Sequence, residues 1–457
     1  YEEVWWHEEM TDDEKTLKQN LVKDEWSVGL GTMLTSWVFN EHTCEYEPPL
    51  PVPSPGVVGV VTNVSLYDYT GAETVAMGHA CAYELTTGSQ CTAVGTSALR
   101  NSTTGDYNTA IGYYAMGAAV VTGGHNTAVG YRAAQSLTTG AYNAFVGKGA
   151  ANNATTASNL TIMGYNAAYG LTTGNENVVI GTSACSNSGS TTHNSNVIIG
   201  SDSVQGQAFT GSGNVVIGRQ AGYGVTEGNY NIAIGNESMQ GTVTGTHNVV
   251  VGRDGLRAIT SGSYNVALGN DTNRVNTTGS NNIAIGHNAL FNNTVSSNTA
   301  VGYEALKANT SAEKNTALGV KAGTSMTTGG FNTALGAYAV EECTTGTYNT
   351  GVGPWTMTNV TTGYHNMGLG GRAGMEITTG YNNIAIGYQA LYTATTSSLN
   401  IAIGTEALEH TTGNGSVAIG HQALEDNTTG NNCTFVGRNS GNPVSYTHLT
   451  LPTKRIV

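Results

Sequence analysis

The chain has 457 residues, of which 62 are glycine and only 11% are charged, and its net charge is −14. The 17 scattered Lys and Arg residues argue against nucleic-acid binding, because neutralising phosphates requires clustered basic residues. No apolar run approaches the roughly 20 residues of a membrane helix, so we expect no membrane insertion in this fragment. The chain begins without an initiator Met or signal peptide, and we interpret it as a fragment or a processed form.

Residues 1–47 are predicted to form an N-terminal attachment or oligomerisation segment. They hold four of the five tryptophans, and the TDDE at 11–14 has the N-cap and acidic first turn of a helix start. A small helical or irregular segment is therefore expected, and the end of an upstream domain is the alternative. Residues 48–56 are rich in proline and are predicted to be a stiff linker.

From residue 57 to residue 441 the sequence repeats. A glycine preceded by three mostly aliphatic residues recurs 22 times between Gly78 and Gly437, at spacings of 16 to 19 residues. Triplets such as 109–111 (TAI) are typical of short strands, and the glycine content opposes helix. We predict that the last residue of each triplet points into the coil and that the middle residue points outward.

A second apolar pair follows each glycine, as in 98–99 and 390–391. We predict a second short strand there, then a Thr-Thr-Gly turn in which the glycine has positive φ. Each repeat of about 17 residues would form one coil of a parallel β-solenoid. Because one coil buries too little surface to offset its ordering, the coils must stack. Twenty-two coils at about 4.8 Å each would make a rod of roughly 100 Å.

Asparagine occupies the fourth position before the glycine in 17 of the 22 repeats. Identical amides stacked at strand spacing bond to their copies above and below. A catalytic asparagine needs no copies, so this column is predicted to be structural. Representative members of this amide stack are Asn108, Asn126, Asn177, Asn231, Asn282, Asn349 and Asn383.

Aromatic residues and histidines recur five residues before the glycine. On a rod, such rings either contact glycans or cover turn edges and pack at a chain interface. His125, His247 and His365 lie too many coils apart to share a metal. The tyrosines considered for glycan contact are Tyr107, Tyr142, Tyr230, Tyr264 and Tyr348.

The six cysteines form no C-x-x-C pair, so we expect buried thiols and no metal site. A Cys44–Cys81 disulfide is the alternative. The G-x-G-x-x-A spacing in 368–374 lacks the long βαβ unit of a dinucleotide site. No cofactor is therefore expected.

Because both faces of the triplet strand are apolar, we expect part of the outward face to be buried against other copies of the chain, as in a homotrimer. The tail at 442–457 breaks the repeat, and its SYTHLTLPTKRIV resembles a translated sequencing adapter, which would make it an artefact.

The unit N-x-A-I-G-x-x-A, at 108–115, 282–289 and 383–390, resembles the head repeats of trimeric autotransporter adhesins. The longer form with Thr-Thr-Gly is similar to repeat arrays of phage tail-fibre and environmental surface proteins. The resemblance covers 75–437, although the adhesin repeat is shorter. It implies a left-handed parallel β-roll, trimeric and displayed outside a cell or virion.

The sequence thus predicts a non-enzymatic extracellular fibre or adhesin stalk, with a host-cell glycan or protein as a further partner. Two alternatives remain. A trimeric phage-spike depolymerase would need acidic pairs in a groove, for which the repeats offer Glu341-Glu342 and Glu406/Glu409. An ice-binding solenoid would need threonines on a flat strand face, whereas the paired threonines are predicted to lie in turns.

Overall fold

The computed structural model describes residues 70–71, 73–187, 189 and 191–442, together with two short strands nearer the N-terminus. The chain divides into two units, Tyr1–Gly56 and Val57–Val457. In the first unit, β1 (Val38–Asn40) and β2 (Glu45–Glu47) pair in antiparallel fashion. The helix start predicted at 11–14, the linker, the rest of the N-terminal segment and the tail after 442 lie outside the described residues.

In the second unit, each repeat contributes one three-residue strand to a single parallel sheet. Strands β3 to β24 pair in chain order, and each residue aligns with its counterpart in the next coil. The predicted parallel β-solenoid is confirmed, with about 21 turns spaced by about 17 residues and no helix among the described residues. The strands are β3 (Val75–Met77), β4 (Thr92–Val94), β5 (Thr109–Ile111), β6 (Thr127–Val129), β7 (Ala144–Val146), β8 (Thr161–Met163), β9 (Val178–Ile180), β10 (Val197–Ile199), β11 (Val215–Ile217), β12 (Ile232–Ile234), β13 (Val249–Val251), β14 (Val266–Leu268), β15 (Ile283–Ile285), β16 (Thr299–Val301), β17 (Thr316–Leu318), β18 (Thr333–Leu335), β19 (Thr350–Val352), β20 (Met367–Leu369), β21 (Ile384–Ile386), β22 (Ile401–Ile403), β23 (Val417–Ile419) and β24 (Thr434–Val436).

The predicted orientation of the strands is wrong, because the middle residue of every strand from β3 to β23 is buried inside the coil. In β5, Ala110 is fully buried, whereas Ile111 is 39% exposed. The asparagine two residues before the middle position is also buried, as strand alternation requires. A 17-residue coil encloses little volume, so the small alanines fill its interior and the larger aliphatic residues lie outside.

The second strand predicted in each repeat is absent from the described coils. The apolar pair lies in a turn in which every second residue has a left-handed backbone conformation, as at Ser97 (φ 58°) and Leu99 (φ 47°). Such a turn cannot be a strand, because strand residues have negative φ. These residues bond to neighbouring coils, since the Ser97 N–H donates to the His79 carbonyl and the Leu99 N–H to the Ala115 carbonyl. The apolar pair is nevertheless buried, so its contribution to the core was predicted correctly.

The Thr-Thr-Gly glycines also differ from the prediction. Gly105 and Gly140 do not have positive φ. In each coil the residue two positions later has it instead, as at Tyr107 (φ 57°) and Tyr142 (φ 61°). Glycine is required for space, because a Cβ on Gly105 would lie 2.5 Å from the carbonyl oxygen of Gly123 in the next coil.

Four described cysteines, Cys81, Cys91, Cys185 and Cys343, are buried free thiols. The Cys81 Sγ donates to the Ala93 carbonyl at 3.1 Å, so the alternative disulfide to Cys44 is not present in this structure. Burial raises the pKa of Cys81 to about 11 and that of Cys343 to about 12.

We predict that native protein treated with iodoacetamide at pH 8 is alkylated at Cys433, which is only partly buried, much faster than at the four buried positions. The thiolate is the reactive form, and burial suppresses both its formation and its access. Peptide mass spectrometry with and without urea measures this. Equal rates in native protein would contradict the packed interior.

Candidate functional site

The predicted amide stack lies inside the coils. All seven asparagines named for it are at most 1% exposed. Asn248 shows the geometry: its Nδ2 donates to Asn231 Oδ1 at 3.1 Å and to the Gly262 carbonyl at 2.9 Å. Its Oδ1 accepts from the backbone N–H and the Nδ2 of Asn265, both at 3.0 Å. The hydrogen-bonding capacity of this amide is full, so its role here is to join coils.

The named tyrosines lie in stacks of three rings on the surface. His125 lies between Tyr107 and Tyr142, at centroid distances of 4.6 and 4.9 Å with planes 7° apart. His247 lies between Tyr230 and Tyr264, at centroid distances of 5.2 and 5.1 Å, with its plane tilted by 34° from Tyr230 and by 12° from Tyr264.

The third stack places Tyr348 between Phe331 and His365, at 4.9 and 4.8 Å. In a stack of three rings, both faces of the middle ring are covered by its neighbours. Each end ring of the described stacks keeps one face that is not covered by a ring of its stack. Tyr142, such an end ring, is 64% exposed.

A second aromatic column, just after the glycine, was missed by the sequence analysis. Tyr113 stacks on Tyr131 at 5.3 Å, and Lys148 Nζ lies over the rings of Tyr131 and Tyr165 at 5.7 and 5.3 Å. A lysine in a tyrosine column interrupts the aromatic pattern of the sequence. In the structure, however, its ammonium group joins the two neighbouring rings through cation–π contacts.

The outward strand face consists of the first and third residues of strands β3–β24. The third residue is aliphatic or Met in every strand. Many of these side chains are exposed in the single chain, including Met77 (47%), Val251 (42%) and Leu318 (51%). The face is a continuous apolar strip, of the kind that marks an interaction site.

The first residue of each strand divides this face into blocks. It is aliphatic in the seven strands β9–β15 and in β21–β23, and it is methionine in β20. It is threonine in β4–β6, β8, β16–β19 and β24. Threonine in the strand triplets was predicted, but its outward direction was not, because the first residue lies on the same side as the third, which was predicted to point inward.

The acidic residues considered for catalysis lie on the surface. Burial raises the pKa of Glu341. The positive charge of Lys321 opposes this increase, and repulsion from Glu342 adds to it. Ligand oxygens of Glu406, Glu409 and Glu425 lie within 4.8 Å of one another. The chain thus brings a third carboxylate to the predicted Glu406/Glu409 pair.

A buried histidine was also missed. His193 stands where most coils have the turn glycine, and it is fully buried. Its Nε2 lies 3.3 Å from Cys185 Sγ and its Nδ1 3.2 Å from Asn177 Oδ1. Its ring packs against Phe209. Burial lowers the pKa of the imidazole to about 4 from 6.5. The Cys-His-Asn set resembles a nucleophile arrangement, but its complete burial excludes substrate.

We predict that acid weakens the coils around His193. A folded-state pKa below the unfolded value means that this stability is present above pH 6.5 and is lost as the pH falls toward 4. Between pH 7.5 and pH 5 the loss should be about 2 kcal/mol. Hydrogen exchange of β9–β11, corrected for intrinsic rates, measures it. In His193→Gln the pH-dependent part should vanish, and its persistence would exclude His193 as the cause.

Comparisons of the chain with protein-family models, curated proteins and solved structures found no match. Within the described part of the chain, there is also no helix with the length and apolarity needed to cross a membrane.

Proposed function

We propose that this protein is a non-enzymatic extracellular fibre or adhesin stalk, in which three copies associate through the outward strand face. The observation that carries the proposal is the aliphatic strip along 22 consecutive strands. A strip about 100 Å long and on the order of 10 Å wide offers about 1,000 Å² per copy, which exceeds the roughly 800 Å² per partner of a standard interface. The stalk would hold a binding region away from a cell or virion surface.

The blocks on the face favour parallel association in register. When copies align in parallel, the aliphatic block β9–β15 meets itself and the threonines of β16–β19 meet threonines. An antiparallel arrangement over the full length places most threonines against aliphatic residues. Matching apolar surface with apolar surface excludes water from the interface without burying unpaired hydroxyl groups.

Contact with a host glycan is the second part of the proposal. Aromatic rings with a free face bind the apolar side of sugar rings, and the exposed end rings Tyr107, Tyr142, Tyr230 and Tyr264 meet that condition better than Tyr348, which lies between two rings. Loss of glycan-array binding on Tyr142→Ala, with the solenoid intact by circular dichroism, would support this part.

The trimer is tested by sedimentation velocity. We expect a stable trimer for the natural chain and a monomer for the double variant Ile217→Glu, Ile234→Glu, because charges in the aliphatic block would be buried without partners. The control Thr139→Glu, Thr173→Glu adds the same charge at exposed turn positions and should remain trimeric. A natural chain that stays monomeric at micromolar concentration would overturn the proposal.

A further inference from the structure

The apolar interior of the solenoid is interrupted in the coil 269–285. The buried apolar residues form one cluster that ends at Ala267 and a second that begins at Ala284. Between them, Thr272 and Asn273 are fully buried at the two positions that the apolar pair occupies in most coils. The two halves of the core therefore meet at a polar layer.

This layer is not fully satisfied. Asn273 Nδ2 is buried and has no hydrogen-bond partner, while its Oδ1 accepts only a long bond of 3.3 Å from Asn293 Nδ2. The asparagines of the amide stack are different, since Asn248 uses every donor and acceptor. A buried amide without a partner favours any opening that admits water.

The polar substitution extends along a second inward column, seven residues after the glycine. Asn276, Asn293 and Asn309 follow one another there, where other coils carry Leu137 or Ile259. Asn309 Nδ2 donates to Asn293 Oδ1 at 3.0 Å, whereas the Asn276 side chain bonds only within its own turn, to Gly279. Among these three asparagines, the side-chain bond between coils thus joins Asn293 and Asn309, on the C-terminal side of the interruption.

The glycine column is also least crowded at this coil. A methyl group built on Gly269 would lie 3.0 Å from the nearest atom of the next coil, the Gly286 carbonyl carbon. At the other paired glycines of this column the nearest atom would lie at 2.2 to 2.8 Å. The strand ladder itself is unbroken, because β14 and β15 pair in full register.

Among the described residues, ion pairs link the coils just before the interruption, and none of them crosses it. Arg257 reaches back to Glu237 at 3.3 Å, and Arg219 also approaches Glu237 from the preceding coil. Further along the described chain, the ion pairs join residues of the same coil, such as Arg274 with Asp271.

We infer that the coil 269–285 is a joint between two cooperative folding units, about 73–268 and 286–442, and that the solenoid opens first at this joint, between β14 and β15. In a stacked-repeat protein, stability is a sum of coil and interface contributions, so cooperativity breaks where one interface is weak. This inference concerns a single chain and does not depend on the proposed trimer.

Hydrogen exchange with mass spectrometry on the full chain tests the joint. Peptides containing β14 and β15 should exchange about tenfold or more faster than peptides containing β10 or β22. In the triple variant Thr272→Ala, Asn273→Leu, Asn276→Leu, which restores the residue types of other coils, this difference should disappear.

The control Thr411→Val makes the same kind of change at the seventh position of a distant coil. It removes a buried side-chain bond to the Gly413 N–H and should leave exchange at β14 and β15 unchanged. Uniform protection of all strands in the natural chain would overturn the inference without any variant. Unchanged fast exchange in a folded triple variant would also overturn it, because the polar layer would then not be the cause.

Discussion

Replacing Asn248 by alanine should cost about 4 kcal/mol of the stability of the surrounding coils. The change removes the acceptor for the backbone N–H and Nδ2 of Asn265 and the Nδ2 donor to the Gly262 carbonyl. Each buried polar group left without a partner costs about 1–3 kcal/mol. Hydrogen-exchange protection of β12–β14 measures the loss locally, which suits a long repeat array whose global unfolding is not two-state.

The matched control is Asn153→Ala. Asn153 is a partly exposed asparagine whose backbone N–H bonds to the Tyr169 carbonyl, a bond that alanine retains. Its effect should stay within about 0.5 kcal/mol. If the two variants lose the same protection, the amide stack does not hold the coils together in the way that its hydrogen bonds indicate.

Two adjacent glycines give the second large prediction. Gly370→Ala should destabilise its coil by about 4 kcal/mol, because Gly370 has φ 128° and its new Cβ would lie 2.8 Å from the Gly387 carbonyl carbon and oxygen. The backbone region is almost closed to other residues, and neither contact is with a flexible side chain that can move aside.

Gly371→Ala is the control one residue later. Its Cβ would meet nothing closer than 3.6 Å, at Tyr388 Cδ2, and its φ is not positive. Alanine there should be neutral or stabilise by about 0.5 kcal/mol through the unfolded chain. Thermal unfolding and exchange of β20 and β21 distinguish the two variants, and similar stabilities would show that the coils are not held as closely as described.

The period, the strand positions and the stacking of the asparagines could be predicted from sequence, because each recurs in nearly every repeat, whereas the inward direction of the asparagines was not predicted. The orientation of the strand could not. Ile111 is larger and more apolar than Ala110, so sequence reasoning placed it inside. The cross-section of the coil decides which side chains fit inside, and this cross-section is set by the closed path of the backbone rather than by any local sequence pattern.

The turn after the glycine was mispredicted for a related reason. Ala98 and Leu99 form an apolar pair of the kind found in short strands. The chain nevertheless takes left-handed conformations in this turn, which let its N–H groups bond to both neighbouring coils. No local propensity favours leucine at positive φ. The requirement comes from the coil-to-coil hydrogen bonds.

The candidate surface was predicted only in part. The Tyr107 column was found because aromatic residues recur five residues before the glycine. Lys148, in the second aromatic column, and His193 each interrupt the residue type of their column, so neither gave a periodic signal. His193 was detectable as a departure from the turn glycine. The joint at Asn273 likewise appears in sequence only as a departure from the repeat.

The amide stack also has a direction. The Oδ1 of Asn248 and one Nδ2 hydrogen both engage groups of the following coil, Asn265 and Gly262. A finished coil therefore presents an acceptor and a donor toward the C-terminus. As synthesis delivers the next 17 residues, their backbone finds these groups already in place, so the solenoid can fold vectorially, with each completed coil as the template for the one that follows.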